Sequence, residues 1–483
     1  MTTMYEKMAP QWVYVGDCYK GVIAIKSPEK MDTYLPMFPK EEELGSMSPQ
    51  YKLRSWSADY DNIFKSAIMS MVGVMGKIPA KVDFGDACQE VKDIDVWGTK
   101  YDDRLVGLKA RLNHAQALYG RYGLLLDVLT DKNGQNPQFC IKEFPCYAIL
   151  DGDTYKSSFD GKERLRWVKL DASKQVFNYE TKQRELLRRY VILGLDENHK
   201  YYRAVLEGDD VKELWEGFNI FNPQGAVYPN FKGRYLNFIP FTVCNVDRLG
   251  IDEWQEPPFL DMAYSTVNAY NADSIYKQAM INHATPTLVT LNAKVPEDMS
   301  LGGVMSIVGD EGVKADVRMM ETNAGGLAEL GRCAKAVKEE AMRRTIFGML
   351  ESVGANTSGT AITLRTAAGT ATISEIDRAG ARAIEEQLCY AAVWSGMTWE
   401  QAGENISYEV DTSYMASQGT VQEFVQLMGA NMAMGKPFLS KRNLYAIAEK
   451  HHPKTLTSYE ENELQIEEEG FAMPMVAMGT EEE

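Results

Sequence analysis

Apolar residues recur at helical spacing over residues 49–75. There Tyr60, Ile63, Phe64, Ala67, Ile68 and Met71 share a face, and the pattern predicts one helix stopped by Pro79. A second helix is expected over about 98–119, broken by Gly120 and Gly123, with a buried strand starting at Leu124–Leu129. Between 137 and 247 the period shortens. "RLRWVKL", "LRRYVIL", "KYYRAVL" and "LNFIPFTVCNV" alternate or run apolar between turn residues, which predicts an antiparallel β-rich unit. Long helical patterns return at Pro257–His283 and Gly325–Ser352. Two prolines open the first, as befits the first helical position. "TPTLVTLNAK", "GVMSIVG" and "VKADVRMM" lie between them and predict three short strands: a helix out, a small β cap, and a helix back. A third long helix is expected from Thr372, with Glu375 three residues on completing a capping box. "ISYEV" predicts a strand, and 420–451 looks helical. The fold class is α+β.

The stretch from Gly354 to Thr372 stands apart. Fifteen of its 19 residues are Gly, Ala, Ser or Thr, and Arg365 is its single charge. Such a segment buries too little apolar area to pack as core. "GANTSGT", Gly354–Thr360, has the glycine spacing of a phosphate-binding loop. Thr360 stands where the lysine is needed, and a helix precedes it in place of a strand, so a flexible connector is the favoured reading.

Composition narrows the classes. An apolar fraction of 45% over 483 residues is that of a globular chain of two to four packed units. The N-terminal MTTMYEKMAP has no basic region followed by an apolar core, so no secretion signal is expected, and no apolar run is long enough to span a membrane. Seven scattered cysteines without metal spacing read as reduced intracellular thiols. The histidines (His114, His199, His283, His451 and His452) form no ligand pattern, and no nucleophile signature appears, so neither cofactor, metal nor catalytic residue is expected. Net charge is −17, of which Thr457–Glu483 supplies −9 through nine glutamates. A chain that grips nucleic acid tightly is basic, because neutralised phosphates supply its affinity. This one is suited at most to letting nucleic acid pass.

The exception is the second long helix, with Arg332, Lys335, Lys338, Arg343 and Arg344. Lys335 and Lys338 are three apart with Arg332 a turn earlier, a spacing that puts them on one face. In a monomer that face reads as solvated and paired with Glu339 and Glu340. In a ring, each of these residues becomes a circle of charge.

The order of parts resembles the portal proteins of short-tailed bacteriophages. The likeness runs from about Trp56 to Trp394, through "SADYDNIFKSAIMSMVGVMGKIP", "YGRYGLLLDV", "NFIPFTVCNV", "PPFLDMAYSTVNAYNADSIYKQAMINHATPTLV" and "SEIDRAGARAIEEQLCYAAVWSG". It implies a homo-oligomeric ring, usually of twelve copies, at one capsid vertex. Residues 1–256 would form a wing, 257–283 and 325–353 a stem, and 284–324 a clip. Residues 354–371 would form a tunnel loop, 372–415 a wing helix and strand, and 416–483 a crown and acidic tail. Implied partners are double-stranded DNA in the channel, the terminase large subunit and head–tail adaptor at the clip, and the major capsid and scaffold proteins. The implied location is the virion, with assembly in the host cytoplasm. Arg365, Thr363 and Thr366 in the tunnel loop and Arg332, Lys335, Lys338 and Arg343 on the stem are the expected DNA contacts. The portal would hydrolyse nothing itself. Another ring-forming head–tail connector or minor capsid protein is the alternative, and an enzyme comes third.

Overall fold

A computed structural model describes residues 3–45, 48–99, 103–130, 136–156, 163–178, 182–208, 210–253, 255–284, 287–291, 316–320, 324–344 and 359–412. The chain divides into two compact units, Met1–Tyr414 and Met415–Glu483, and the described residues belong to the first. The helix expected at 420–451, the crown and the acidic tail lie outside them.

Helices and antiparallel sheets alternate through this unit, an α+β arrangement. The first helix, α1 (Met4–Lys20), begins at a capping box between Thr3 and Glu6. Met8, Trp12 and Val15 are buried along one side of it, and the Trp12 indole N–H donates to the Tyr119 carbonyl at 3.2 Å. The single helix expected over 49–75 is two, α2 (Pro49–Ser57) and α3 (Ile63–Met75). The break has a local cause. Asn62 caps α3 by accepting from the Lys65 amide at 3.0 Å. Tyr60 is buried in the gap and donates its hydroxyl to the Cys18 carbonyl. Arg54, at the end of α2, is buried against Glu41 at 2.7 Å and donates to Ser274 Oγ at 3.0 Å, with its guanidinium 4.1 Å from the Phe38 ring centroid. It ties three separate segments together.

The helix α4 (Arg104–Tyr119) ends where expected, at Gly120. That residue has φ +79°, a conformation that favours glycine, and a Cβ there would make a tight 3.2 Å contact with the Glu256 carbonyl oxygen. The strand β2 (Arg121–Leu129) follows, after β1 (Lys81–Asp83) earlier in the chain. β2 lies at the centre of a three-stranded antiparallel sheet between β3 (Gln138–Pro145) and β10 (Phe241–Asn245), with Leu124 opposite both Glu143 and Thr242. The β-rich unit supplies β4 (Ile149–Lys156), β5 (Glu163–Asp171), β8 (Arg189–Leu195) and β9 (Tyr201–Glu207) as a four-stranded sheet in that order. A separate two-stranded arm consists of β6 (Lys174–Asn178) and β7 (Gln183–Leu187).

The long helix pair follows: α5 (Leu260–Ala284), β11 (Thr287–Leu291), β12 (Asp316–Met320) and α6 (Ala324–Arg343). β11 and β12 pair antiparallel, with Val289 opposite Arg318. The middle of the three expected strands lies outside the described residues, as does the helix end expected at 345–352. Helix out, β pair, helix back is the arrangement read from the sequence.

The third long helix, α7, spans Gly359–Ser395, so it starts well before Thr372 and the expected capping box does not form its beginning. Residues 359–371, read as a loop, have helical backbone. Ala361, Leu364, Arg365, Ala367, Ala368 and Ala371 are good helix formers, set against four threonines and Gly369, which are not. Further along, Ile384, Leu388 and Trp394 are buried in the main core with β2, β10 and α4, and Ile373 and Ile376 are buried as well. After α7 come α8 (Trp399–Asn405) and β13 (Ser407–Glu409), the strand expected at "ISYEV". β13 pairs with β1, Tyr408 opposite Val82.

A candidate nucleic-acid interface on the long helix pair

Helix α6 touches the rest of the described chain along a single narrow stripe. From 325 to 344 the residues that are not exposed are Leu327, Gly331, Ala334, Lys338 and Ala341. Their spacing of four, three, four and three is a helix–helix seam. Small residues at 331, 334 and 341 let α5 approach closely. A Cβ on Gly331 would stand 3.0 Å from the Tyr276 ring, and Ala341 is buried with Ala269 and Ile63. Near the C-terminal end of α6, Arg344 donates to Ser265 Oγ at 2.9 Å.

This seam divides the expected basic residues. Lys338 sits on it, turned toward the loop between α2 and α3, and pairs with Asp61 at 2.5 Å. Arg332, Lys335 and Arg343 fall on an arc from beside the seam round to the opposite side, at about 100° of rotation per residue. Their side chains are 77%, 77% and 64% exposed, against 44% for Lys338. The structure thus brings three of the four expected stem residues to one open face and pairs the fourth, on the seam, with Asp61 of the same chain. Each of the three has an intrahelical acidic neighbour: Arg332 pairs with Glu329, Lys335 with Glu339 at 3.7 Å, and Arg343 with Glu339 at 3.9 Å. Exposed pairs of this kind contribute little, about 0.3–0.5 kcal/mol each, so a phosphate can displace them. Over 324–344, five basic residues outweigh Glu329, Glu339 and Glu340, leaving the helix locally positive in an acidic chain.

Beside the seam a cleft of about 210 Å³ is lined by Asp59, Asp61, Asp273, Tyr276, Lys335 and Lys338. Lys277 bridges two of its carboxylates, reaching Asp273 at 3.2 Å and also pairing with Asp59. The hydrogen bond from Lys277 holds the Asp59 carboxyl below the usual range. Burial works against the Lys277 charge, but its hydrogen bonds to Asp59 and Asp273 prevail and raise its pKa. No pattern in the sequence places the acidic loop beside this helix. The signal for Lys338 was present: it shares its stripe with Gly331, Ala334 and Ala341.

Thr363, Arg365 and Thr366 lie in the first two turns of α7. Their side chains are outside what the structure describes. Among the described residues no group of three His, Cys, Asp or Glu is placed to hold a metal ion, and no helix is long and apolar enough to cross a membrane.

No protein-family model matches the chain, and no curated protein matches it. Among solved structures it is similar to a chain from the neck of an empty GTA (gene transfer agent) particle computed with C6 symmetry. The TM-score is 0.35 and the identity 11%, over 85% of this chain and 98% of that one. A likeness this loose carries no functional argument.

Proposed function

We propose that this protein is a ring-forming portal at one vertex of a capsid, the conduit through which double-stranded DNA enters and leaves. The observation that supports this reading is the state of α6. A helix held along one stripe, exposing a basic arc on one side and Leu330 and Val337 on the other, leaves apolar surface in water. Neighbouring copies arranged around an axis would cover the apolar flank and turn Arg332, Lys335 and Arg343 into rings of positive charge. A mainly acidic chain with sparse basic rings holds DNA loosely enough for it to slide. In this reading α5 and α6 form the stem and α7 runs from the channel into the wing. The β11–β12 pair belongs to a clip that docks the terminase large subunit and later a head–tail adaptor. Twelve copies, contact with the major capsid and scaffold proteins, a place in the virion and the absence of a reaction of its own complete the proposal.

The test is genome packaging into particles carrying Arg332→Ala, Lys335→Ala and Arg343→Ala together, measured as nuclease-protected DNA per particle. The expected result is normal particle assembly with slowed packaging or loss of packaged DNA. Lys338→Ala, whose lysine is held by Asp61, is expected to change DNA content less than the triple variant. Full DNA content in the triple variant, together with Arg365→Ala, contradicts the channel assignment.

A further inference from the structure

The β6–β7 arm has no such place in its own subunit. Its strands pair from Lys174 opposite Leu187 to Asn178 opposite Gln183. Its base is fixed by the Ala172 amide donating to the Arg189 carbonyl at 2.9 Å and the Arg189 amide donating to Ser173 Oγ at 3.1 Å. Beyond that base, no other helix or strand among the described residues packs on it to more than an incidental extent. An isolated two-stranded hairpin is marginal in water. This one also exposes Val176, Phe177 and Leu186, at 40%, 44% and 57%. The pairs Gln175–Leu186 and Phe177–Arg184 alternate with Val176–Glu185, so Phe177 and Leu186 share one face diagonally. Among the described residues neither outer edge of the arm pairs with a further strand.

Charge indicates what covers it. From Lys174 to Arg189 the chain carries Lys174, Lys182, Arg184, Arg188 and Arg189 against Glu180 and Glu185, a net +3, of which Arg188 and Arg189 stand at the base of the arm, where Arg189 also pairs with Glu207 at 3.7 Å. The remainder of the chain is then −20. A basic, apolar-faced arm on a strongly acidic molecule is complementary to the surface of another copy.

We infer that the β6–β7 arm docks on a second copy of this chain, with Phe177 and Leu186 as the apolar contact and the arm's lysine and arginine side chains against acidic surface. The inference rests on the ring reading above, since it takes that second copy to be the neighbour in the ring. A head-to-tail contact of this kind uses different surfaces on the two partners and closes when the rotation allows.

Sedimentation velocity over a concentration series tests it with the full chain as wild type, as Phe177→Ser with Leu186→Ser, and as Lys182→Glu with Arg184→Glu. Thermal unfolding of the dilute protein checks that each variant folds. The expected result is wild-type association, weakened at least tenfold by the apolar pair and weakened by the charge pair in a way that high salt masks. A wild type that associates and apolar variants that associate equally well overturn the arm proposal and leave the ring intact. A wild type that stays monomeric at every concentration, with or without scaffold protein, overturns both. Loss of binding to a short DNA duplex in the charge variant, with association unchanged, assigns the arm to DNA and also overturns the proposal.

Discussion

Lys109 on α4 and Asp377 on α7 form an ion pair at 2.8 Å with side chains only 7% and 1% exposed. Asn113 donates to the same carboxylate at 2.6 Å, Gln116 reaches the Ile376 carbonyl at 3.5 Å, and Lys109 also reaches the Met75 carbonyl at 3.5 Å. Three helices are thus locked in register by one buried polar cluster. Removing one partner strands the other's charge away from water. Lys109→Ala or Asp377→Ala is therefore expected to cost about 3–5 kcal/mol, whereas Lys109→Met with Asp377→Leu costs less than either alone. Urea unfolding of the four proteins measures this. A single variant within about 0.5 kcal/mol of wild type, the range of ordinary surface changes, refutes the buried-pair account.

Gly331 sets how closely the long helix pair can pack. Replacing glycine by alanine in a helix gains about 1 kcal/mol from propensity. The new methyl would crowd the Tyr276 ring at 3.0 Å, a flexible side chain that can yield. The two effects nearly cancel, so Gly331→Ala is expected to shift stability by less than about 1 kcal/mol, while Gly331→Leu costs about 1–3 kcal/mol by overpacking. Tyr276→Ala should relieve part of the leucine's cost, a coupling that a double-mutant cycle on unfolding free energies would read. Strict additivity would mean that the ring and residue 331 do not meet.

His114 carries a pH dependence. Burial holds its imidazole below the ordinary range, and its Nε2 lies 2.9 Å from the Tyr19 hydroxyl. The unfolded chain takes up a proton near pH about 6.5, before the folded one does. Its contribution is fully present above that pH and is lost as the pH falls toward the lower folded value. Between pH 8 and pH 5 wild type is expected to lose more stability than His114→Gln, by chemical denaturation at each pH. Parallel pH profiles would show that His114 does not titrate in this environment.

Much of this architecture was legible. Gly120 marked the end of α4, the 257–283 and 325–352 patterns marked the helix pair, and alternation marked the sheets. Three features were not. Asn62 as a cap and Tyr60 as a buried plug split the 49–75 helix, yet Tyr60 fits the apolar periodicity of a continuous one. The tiny residues of 359–371 form little core, which suggests a loop, yet the segment also holds four alanines, Leu364 and Arg365, which favour helix. By charge Lys338 groups with Lys335, although its stripe of Gly331, Ala334 and Ala341 belongs to the seam. Its partner, Asp61, lies 277 positions earlier, a distance no local pattern crosses. For Arg365, Thr363 and Thr366, residue type and position in the chain are what motivate the assignment.

The central claim is that many copies surround one axis. The most direct measurement is the mass and shape of the purified full-length protein, by native mass spectrometry with negative-stain imaging, alone and with scaffold protein. A closed ring of about twelve subunits with a central hole, stable at moderate salt, is the predicted result. A protein that remains monomeric in both conditions contradicts the claim, because α6 would then keep its apolar flank and basic arc in water with no neighbour to cover them.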